Sequence, residues 1–366
     1  MIERGILYLV DPTTNSMRQH VLTILKYLSR ARYKPYLVVS EDDYLIEHAK
    51  KLNVDYIASP GISNVNKLSI GGICKHIEQF AEGKTINLIH SHGDQACYVG
   101  TQVAKGLGRP HVSTVHAIFD GKKKGFFNIE PNKVLGMADH IIAVSEVVKK
   151  SIENLNGKVS LVYNGIETDR FAETLDTEHL FRELNIEKGS VLVGTITSLE
   201  PGKGTEYLLE ATPSLVSFRP DMHLIIVGGG TDLENLKKKA ANMGLVKRTH
   251  FLGFRRDIAH ILKSLDVVVI PNTMPGLPII LLEALASIKP VIVTDVPGVR
   301  EAVAEDCVEF IPPQNAAAIT EAVKKVLSNR FVTEEKARTG QKLVKEKFSI
   351  QQMMRPTESL YLKVAR

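Results

Sequence analysis

Short runs of consecutive apolar residues, rich in Val and Ile, alternate along this chain with longer stretches in which apolar positions recur every three or four residues. In the first part RGILYLV, YKPYLVVS, INLIHSHG, RPHVSTVHA and HIIAVS read as strands. In the second part VLVGTIT, MHLIIVGGG, THFLGF, VVVIPN, PVIVTD and VEFIPP do. Between them, MRQHVLTILKYLSRA, TDLENLKKKAANMG and AAAITEAVKKVLSN carry the helical period. Strands that are apolar along their whole length are buried on both faces, as in parallel sheets covered by helices. The pattern therefore predicts an α/β chain.

The alternation runs twice, with a break near LVYNGIETDRFAETLDTEHLFRELNIEKGS. Asn164-Gly165 is a turn pair, and the segment after it is polar and weakly periodic. A boundary near residue 166 follows, with one Rossmann-like, doubly wound domain over 1–165 and a second over 166–349. The strand C-terminal ends of two such domains, facing each other across a cleft, would bind ligand. At 366 residues, 44% of them hydrophobic, the chain is long enough to fill two cores.

Charge adds little to this picture. Forty-six basic against 41 acidic residues give +5. That balance suits anionic small molecules or an acidic membrane surface, but lacks the dense Lys/Arg clustering of a nucleic-acid binder. Cys74, Cys97 and Cys307 are far apart and form no CxxC pair, which points to a reducing, cytoplasmic setting. The opening MIERGILYLVDP is stopped by Asp11 and reads as a first strand, not a signal peptide. No apolar run approaches the roughly 20 residues that span a bilayer, so membrane contact is expected to be peripheral at most.

Candidate chemistry sits at the strand ends. In TSLEPGKGTEYLLEA, a strand gives way to a Pro-Gly turn, Lys203, Gly204 and a helix start. Glycines, unpaired helix amides and a lysine together suit a phosphate, although a plain turn with a solvated Lys reads the same way. Gly228, Gly229 and Gly230 follow another strand without completing GxGxxG. His116 stands just past a strand end, where a lone histidine reads first as a packed ring. Lys122, Lys123 and Lys124, beside Phe126 and Phe127, read as a solvated loop or as a contact with an anionic lipid headgroup. GxxxxGK[ST], Asp-x-Asp, HExxH and GxSxG are all lacking. His90 and His92 show no third ligand at sensible spacing, so no metal is expected.

In order and spacing these pieces resemble the retaining nucleotide-sugar glycosyltransferases of family 4 (glycosyl transferases group 1), which have the two-domain GT-B fold. The resemblance runs from HVLTILKYLSRARYKPYLV, LIHSHG, STVHA, ADHIIAVSEVVKKSI and LVYNGIETDRF to SLEPGKGTEYLLEA and LIIVGGG. It continues through FLGFRRDIAHILKSLDVVVIPN, GLPIILLEALA and PVIVTDVPGVREAV to KFSIQQMM. It implies a last helix, about 350–366, returning to the N-terminal domain. It implies a nucleotide-sugar substrate, UDP-linked in the commonest case, with no cofactor and no metal, the diphosphate being met by protein donors. The partner is then a glycan, lipid-linked or phosphorylated acceptor, at the inner face of the membrane if peripheral.

Carried onto this sequence, the resemblance makes Lys203 the phosphate-binding lysine, Glu283 the carboxylate that bonds the nucleotide ribose, and His116 the histidine near the donor sugar. Gly276, Leu277, Pro278, Ile279 and Ile280 would meet sugar and diphosphate. Gly228 and Gly230 would line the site, and Phe254 and Arg255 would flank the base. Four positions depart from the pattern. The sugar-binding Glu eight residues before Glu283 is Pro275, the diphosphate-binding Arg is Ser198, the glycine pair near the phosphates is Asn15-Ser16, and a glycine before the PV strand is Ile288. Losing an Arg–phosphate contact costs about 1.5–3 kcal/mol. Two readings stay open on this footing: an active transferase in which Asn272, Thr273 or another group replaces the missing Glu, and a weak or inactive homologue that serves as a partner subunit in glycan assembly.

Overall fold

The computed structural model describes residues 4–66, 68–118, 131–155, 158–173 and 176–365. The chain divides into two compact units, one formed by 1–165 together with 350–366, the other by 166–349.

The first unit is a sheet of seven parallel strands: β1 (Arg4–Val10), β2 (Tyr33–Val39), β3 (Asp55–Ala58), β4 (Leu88–His92), β5 (His111–Val115), β6 (His140–Ala143) and β7 (Lys158–Leu161). Their order is β3-β2-β1-β4-β5-β6-β7. Successive side chains of a strand point to opposite faces, and β1 shows the result. Ile6, Tyr8 and Val10 enter one core with Val21, Ile24 and Leu25 of the helix Asn15–Tyr27. Leu7 and Leu9 enter another with Ile73 and Ile77 of the helix Ile70–Ala81. Both faces are dry, which is why β1 reads as an unbroken apolar run.

The helix Ile350–Val364 belongs to this unit. Met353, Met354, Leu360 and Tyr361 lie in the same core as Tyr8 and Tyr33. Burying each large apolar side chain contributes about 1.5–3 kcal/mol. Polar contacts fix the position: the Tyr361 hydroxyl is 2.6 Å from His90 Nδ1 and 3.2 Å from the Tyr8 hydroxyl. His90 Nε2 is 2.7 Å from Thr114 Oγ1, so both ring nitrogens of this fully buried histidine are engaged. At the surface Ser29 N–H donates to Glu358, and Arg4 Nε donates to the Ala365 carbonyl.

The second unit is a sheet of six parallel strands: β8 (Val191–Ile196), β9 (Met222–Val227), β10 (Thr249–Phe251), β11 (Val267–Ile270), β12 (Val291–Thr294) and β13 (Glu309–Ile311). Their order is β10-β9-β8-β11-β12-β13. The helices Thr205–Phe218 and Ala316–Ser328 cover one face through Leu208, Leu209, Leu215, Ile319 and Val323. Ile166 N–H donates to the Phe348 carbonyl over 2.9 Å, so the two segments at which the chain changes unit are bonded side by side.

β3 and β7, which the apolar pattern does not predict, are four-residue strands at the two edges of the first sheet. Neither contains a fully buried residue, so neither leaves an apolar run to read. Among the described residues, no helix is long and apolar enough to cross a membrane. Lys122–Lys124, Phe126 and Phe127 lie outside the described residues.

Removing only the Tyr361 hydroxyl (Tyr361→Phe) leaves His90 Nδ1 buried without its partner. The variant is expected to lose about 1–3 kcal/mol of stability, read from urea unfolding. An unchanged midpoint would mean that the helix is held by apolar contact alone.

Candidate active site

In the second unit the direction of the crossovers reverses between β8 and β11. Loops leaving neighbouring strand ends at such a reversal diverge and open a crevice. Ser198, Glu200 and Lys203 lie on the loop after β8, and Asn272–Pro278 on the loop after β11. Gly204 lets the two meet. It has φ 74°, and a Cβ there would stand 1.9 Å from the Pro271 carbonyl oxygen. Thr273 clasps the same turn, its N–H and its hydroxyl donating to Gly202 O over 3.0 and 2.9 Å. Gly228 joins a third loop to the first: its φ is 136°, and a Cβ would stand 1.8 Å from Thr197 O. Leu199 N–H donates to Gly229 O, and the exposed Gly230 packs on the Leu199 carbonyl.

Lys203 is half-buried on this framework. Glu200, the nearest acid in sequence, has its carboxylate taken by the Thr231 amide and hydroxyl. Among the described residues none forms an ion pair with the Lys203 ammonium, which leaves it free for an anion. Opposite begins the helix Ile279–Ala286, preceded by Pro278 and without a side-chain cap. Its first N–H groups and its dipole are therefore available to negative charge. Gly276, at φ 135°, donates its N–H to Pro297 O and turns Leu277 and Pro278 into the helix.

Glu283 projects from the second turn of that helix, half-buried. No hydrogen bond among the described residues engages its carboxylate. Burial pushes the carboxyl up to about 7, against the opposing field of Arg170. Pro275 and Ser198 are exposed and offer no charge. The two substitutes for the missing Glu are already occupied. Asn272 Nδ2 donates to Met274 O over 3.1 Å, and Thr273 is spent on Gly202. Ile288 keeps the left-handed conformation expected of a glycine there, at φ 56°. For a non-glycine residue this costs about 1–2 kcal/mol.

Phe254 is 64% exposed beside the β9 and β10 ends. Arg255 is not available in the same way. Its guanidinium donates to both carboxylate oxygens of Asp257, over 2.8 and 2.7 Å, and also to Glu183. These acids hold the guanidinium protonated, and it in turn holds Asp257 down at about 2. Of the pair expected beside the base, only Phe254 presents a free surface.

The first unit reverses between β1 and β4. The helix Asn15–Tyr27 begins there, with Thr14 Oγ1 accepting from the Met17 N–H and lying 3.1 Å from Ser16 Oγ. Asn15 and Ser16 thus open this helix. His116, just past β5, is not a singly packed ring. His116 Nε2 is 3.1 Å from His92 Nδ1, and its ring meets that of His20 edge-on at 4.8 Å. One nitrogen from each of His20, His92 and His116 lies within 4.8 Å of the others. His20 Nδ1 is 2.8 Å from Asn164 Oδ1. Burial pulls His20 down to about 4, and His92 and His116 well below the usual histidine range, so all three rings are neutral near pH 7.

The expectation that the HSH pair lacks a third ligand is corrected here. His90 is consumed by Tyr361 and Thr114, but His92 meets two further histidines from distant parts of the chain. A signal was present in the sequence: His20 interrupts the otherwise apolar stripe Met17, Val21, Ile24, Leu25, so its ring had to be buried. Asn164, half of the Asn164-Gly165 turn pair, gives no local sign in the sequence that it holds this ring.

Residues 17–170 match the family model described as Glycosyltransferase Family 4, and residues 176–345 match the one described as Glycosyl transferases group 1. An uncharacterized glycosyltransferase of Methanocaldococcus jannaschii is 27% identical over 81% of this chain and 77% of its own length. The Escherichia coli UDP-Gal:alpha-D-GlcNAc-diphosphoundecaprenol alpha-1,3-galactosyltransferase is 29% identical over 58% of each chain. In fold, the chain superposes on Anabaena HepE, solved with UDP-glucose, with TM-score 0.85, 21% identity and coverage of 97% of this chain and 99% of that one. Each of the two Rossmann-like units is thus similar to a glycosyltransferase family model, family 4 over the first and group 1 over the second, in a chain of GT-B fold.

Proposed function

We propose that the protein transfers a sugar, with retention, from a nucleotide-sugar donor to a glycan, lipid-linked or small-molecule acceptor, and that protein groups carry the leaving diphosphate without a metal ion. One observation carries this reading. The two loops that meet at a single switch point carry the unpaired Lys203 ammonium on one side and, on the other, the uncapped helix Ile279–Ala286 with the unbonded Glu283 carboxyl. A UDP-sugar is the donor of choice, in keeping with the UDP donor named for the E. coli relative. The acceptor named there, a diphospholipid, makes a lipid-linked acceptor for this chain a natural extension.

In this reading Lys203 and the helix amides meet the charge that develops on the diphosphate as the glycosidic bond breaks. They are held in place beforehand, so they need no reorganisation at that moment. The phosphate oxygen takes the acceptor hydroxyl's proton while the new bond forms on the face it has left. Glu283 accepts from the ribose hydroxyls, Phe254 lies along the base, and His116 bonds the donor sugar. Ser198 and Pro275 remove two further donor contacts, so more of the sugar's binding falls to the backbone of Gly276–Ile280. The weak-homologue reading draws on these same two positions, yet none of the groups just named is lost.

Thermal unfolding with UDP, GDP, ADP and CMP tests the nucleotide assignment. A ligand at 100 times its dissociation constant adds about 2.7 kcal/mol, a rise of a few degrees. UDP is expected to give it, and Lys203→Ala to weaken binding tenfold or more. No shift with any nucleotide would overturn the reading.

Glu283 makes the protein pH-dependent in a stated sense. Its folded pKa of about 7 lies above the ordinary value of 4.5, so between those values the folded state holds a proton that the unfolded state has released. Its contribution to stability is therefore present below about 4.5 and falls as pH rises to about 7. UDP affinity should move the other way, rising as the carboxylate ionises, and Glu283→Gln should flatten both profiles. Titration calorimetry from pH 5 to 8 checks this, and a parallel profile in the variant would remove Glu283 from the ribose.

A further inference from the structure

We infer that His20, His92 and His116 form a binding site for one transition-metal dication of the zinc type. Three neutral imidazoles, gathered from a helix, a strand end and the loop after a strand, are the ligand set that zinc, nickel and copper prefer. The facing nitrogens of His92 and His116 stand 3.1 Å apart. Two ligands on one tetrahedral ion with bonds of 2.0–2.1 Å are roughly 3.3 Å apart, so little movement is needed for both to meet it. His20 is already held as a ligand would be. Asn164 Oδ1 can only accept from His20 Nδ1, so the proton is on Nδ1 and the lone pair is on Nε2, the usual outer-shell arrangement.

His92 Nε2 and His116 Nδ1 are buried and have no hydrogen-bond partner. Whichever of the two rings donates to the other, one bare lone pair and one unshared N–H stay out of water. An ion between the facing nitrogens shifts the shared proton to the far nitrogen of the donor ring, so that both rings offer it a lone pair, and three protein ligands leave a fourth position for water or substrate. Burial keeps each ring neutral near pH 7, so an ion there does not compete with a second ring proton. One consequence rests on the role proposed for His116: an ion there and the donor sugar would compete for the same ring.

The test uses the full chain, stripped of metal with a chelator and titrated with Co2+ and Zn2+. One Co2+ per chain with the visible absorption of a tetrahedral site is expected, displaced by Zn2+. His20→Ala should lower Zn2+ affinity at least tenfold in equilibrium dialysis, and Asn164→Ala by about ten- to a hundredfold through its hold on His20. His140→Ala, at the opposite end of its strand, should change nothing. Far-UV circular dichroism and the UDP-induced thermal shift report whether each variant is folded; if His20→Ala is not, His20→Gln replaces it. Absence of the cobalt spectrum, or binding unaltered in the folded His20 variant, would overturn the site while leaving the nucleotide assignment standing. Zinc that binds with no loss of sugar transfer would overturn the competition.

Discussion

Parallel pairing of β1 with β4 and of β8 with β11 imposes the geometry on which both candidate sites depend. A parallel pair cannot be closed by a short turn, so the chain must cross over with a helix and return to the same end of the sheet. When successive crossovers run first to one side and then to the other, two neighbouring strand ends release their loops in opposite directions. The gap belongs to the topology, and the sequence decides only what stands at its rim. In the second unit that is an ammonium, a helix start and a carboxyl; in the first, three imidazoles and a helix start.

What holds the rims in shape is close backbone contact. Gly204 against Pro271 and Gly228 against Thr197 bring loops together at distances no side chain tolerates. The same logic accounts for the occupied side chains nearby. Asn272, Thr273, Glu200 and Arg255 all spend their hydrogen bonds inside the framework, and Lys203 and Glu283 are left over. A group with no internal partner at a crevice is one that a ligand can satisfy.

Much of this was legible beforehand because it is written in local pattern. Eleven strands appeared as apolar runs because both sheet faces are covered, and Lys203 and Glu283 could be placed because strand, turn and helix follow one another within a few residues. β3 and β7 left no such run, since edge strands bury little. The histidine trio was hidden for another reason. Its members lie 72 and 24 positions apart, and only the parallel register of β4 and β5 aligns them. The pairing of Arg255 leaves no local pattern, because its acids come from a separate helix as well as from its own loop. The departure at Ile288 shows the converse case: the backbone kept the glycine conformation although the residue changed.

The helix Ile350–Val364 completes the core around Tyr8 and Tyr33, although 184 residues of another unit intervene between it and Gly165. On a ribosome, which releases a chain from its N-terminus onward, this reverses the usual order. The unit encoded first is the last that can finish, because the Tyr361 side chain that bonds His90 is synthesised only after the whole of the second unit. The contiguous second unit can close as soon as Ser349 emerges. Until the helix Ile350–Val364 follows, the nascent first sheet carries an open apolar face, and a stop codon ahead of that helix would leave it so for good.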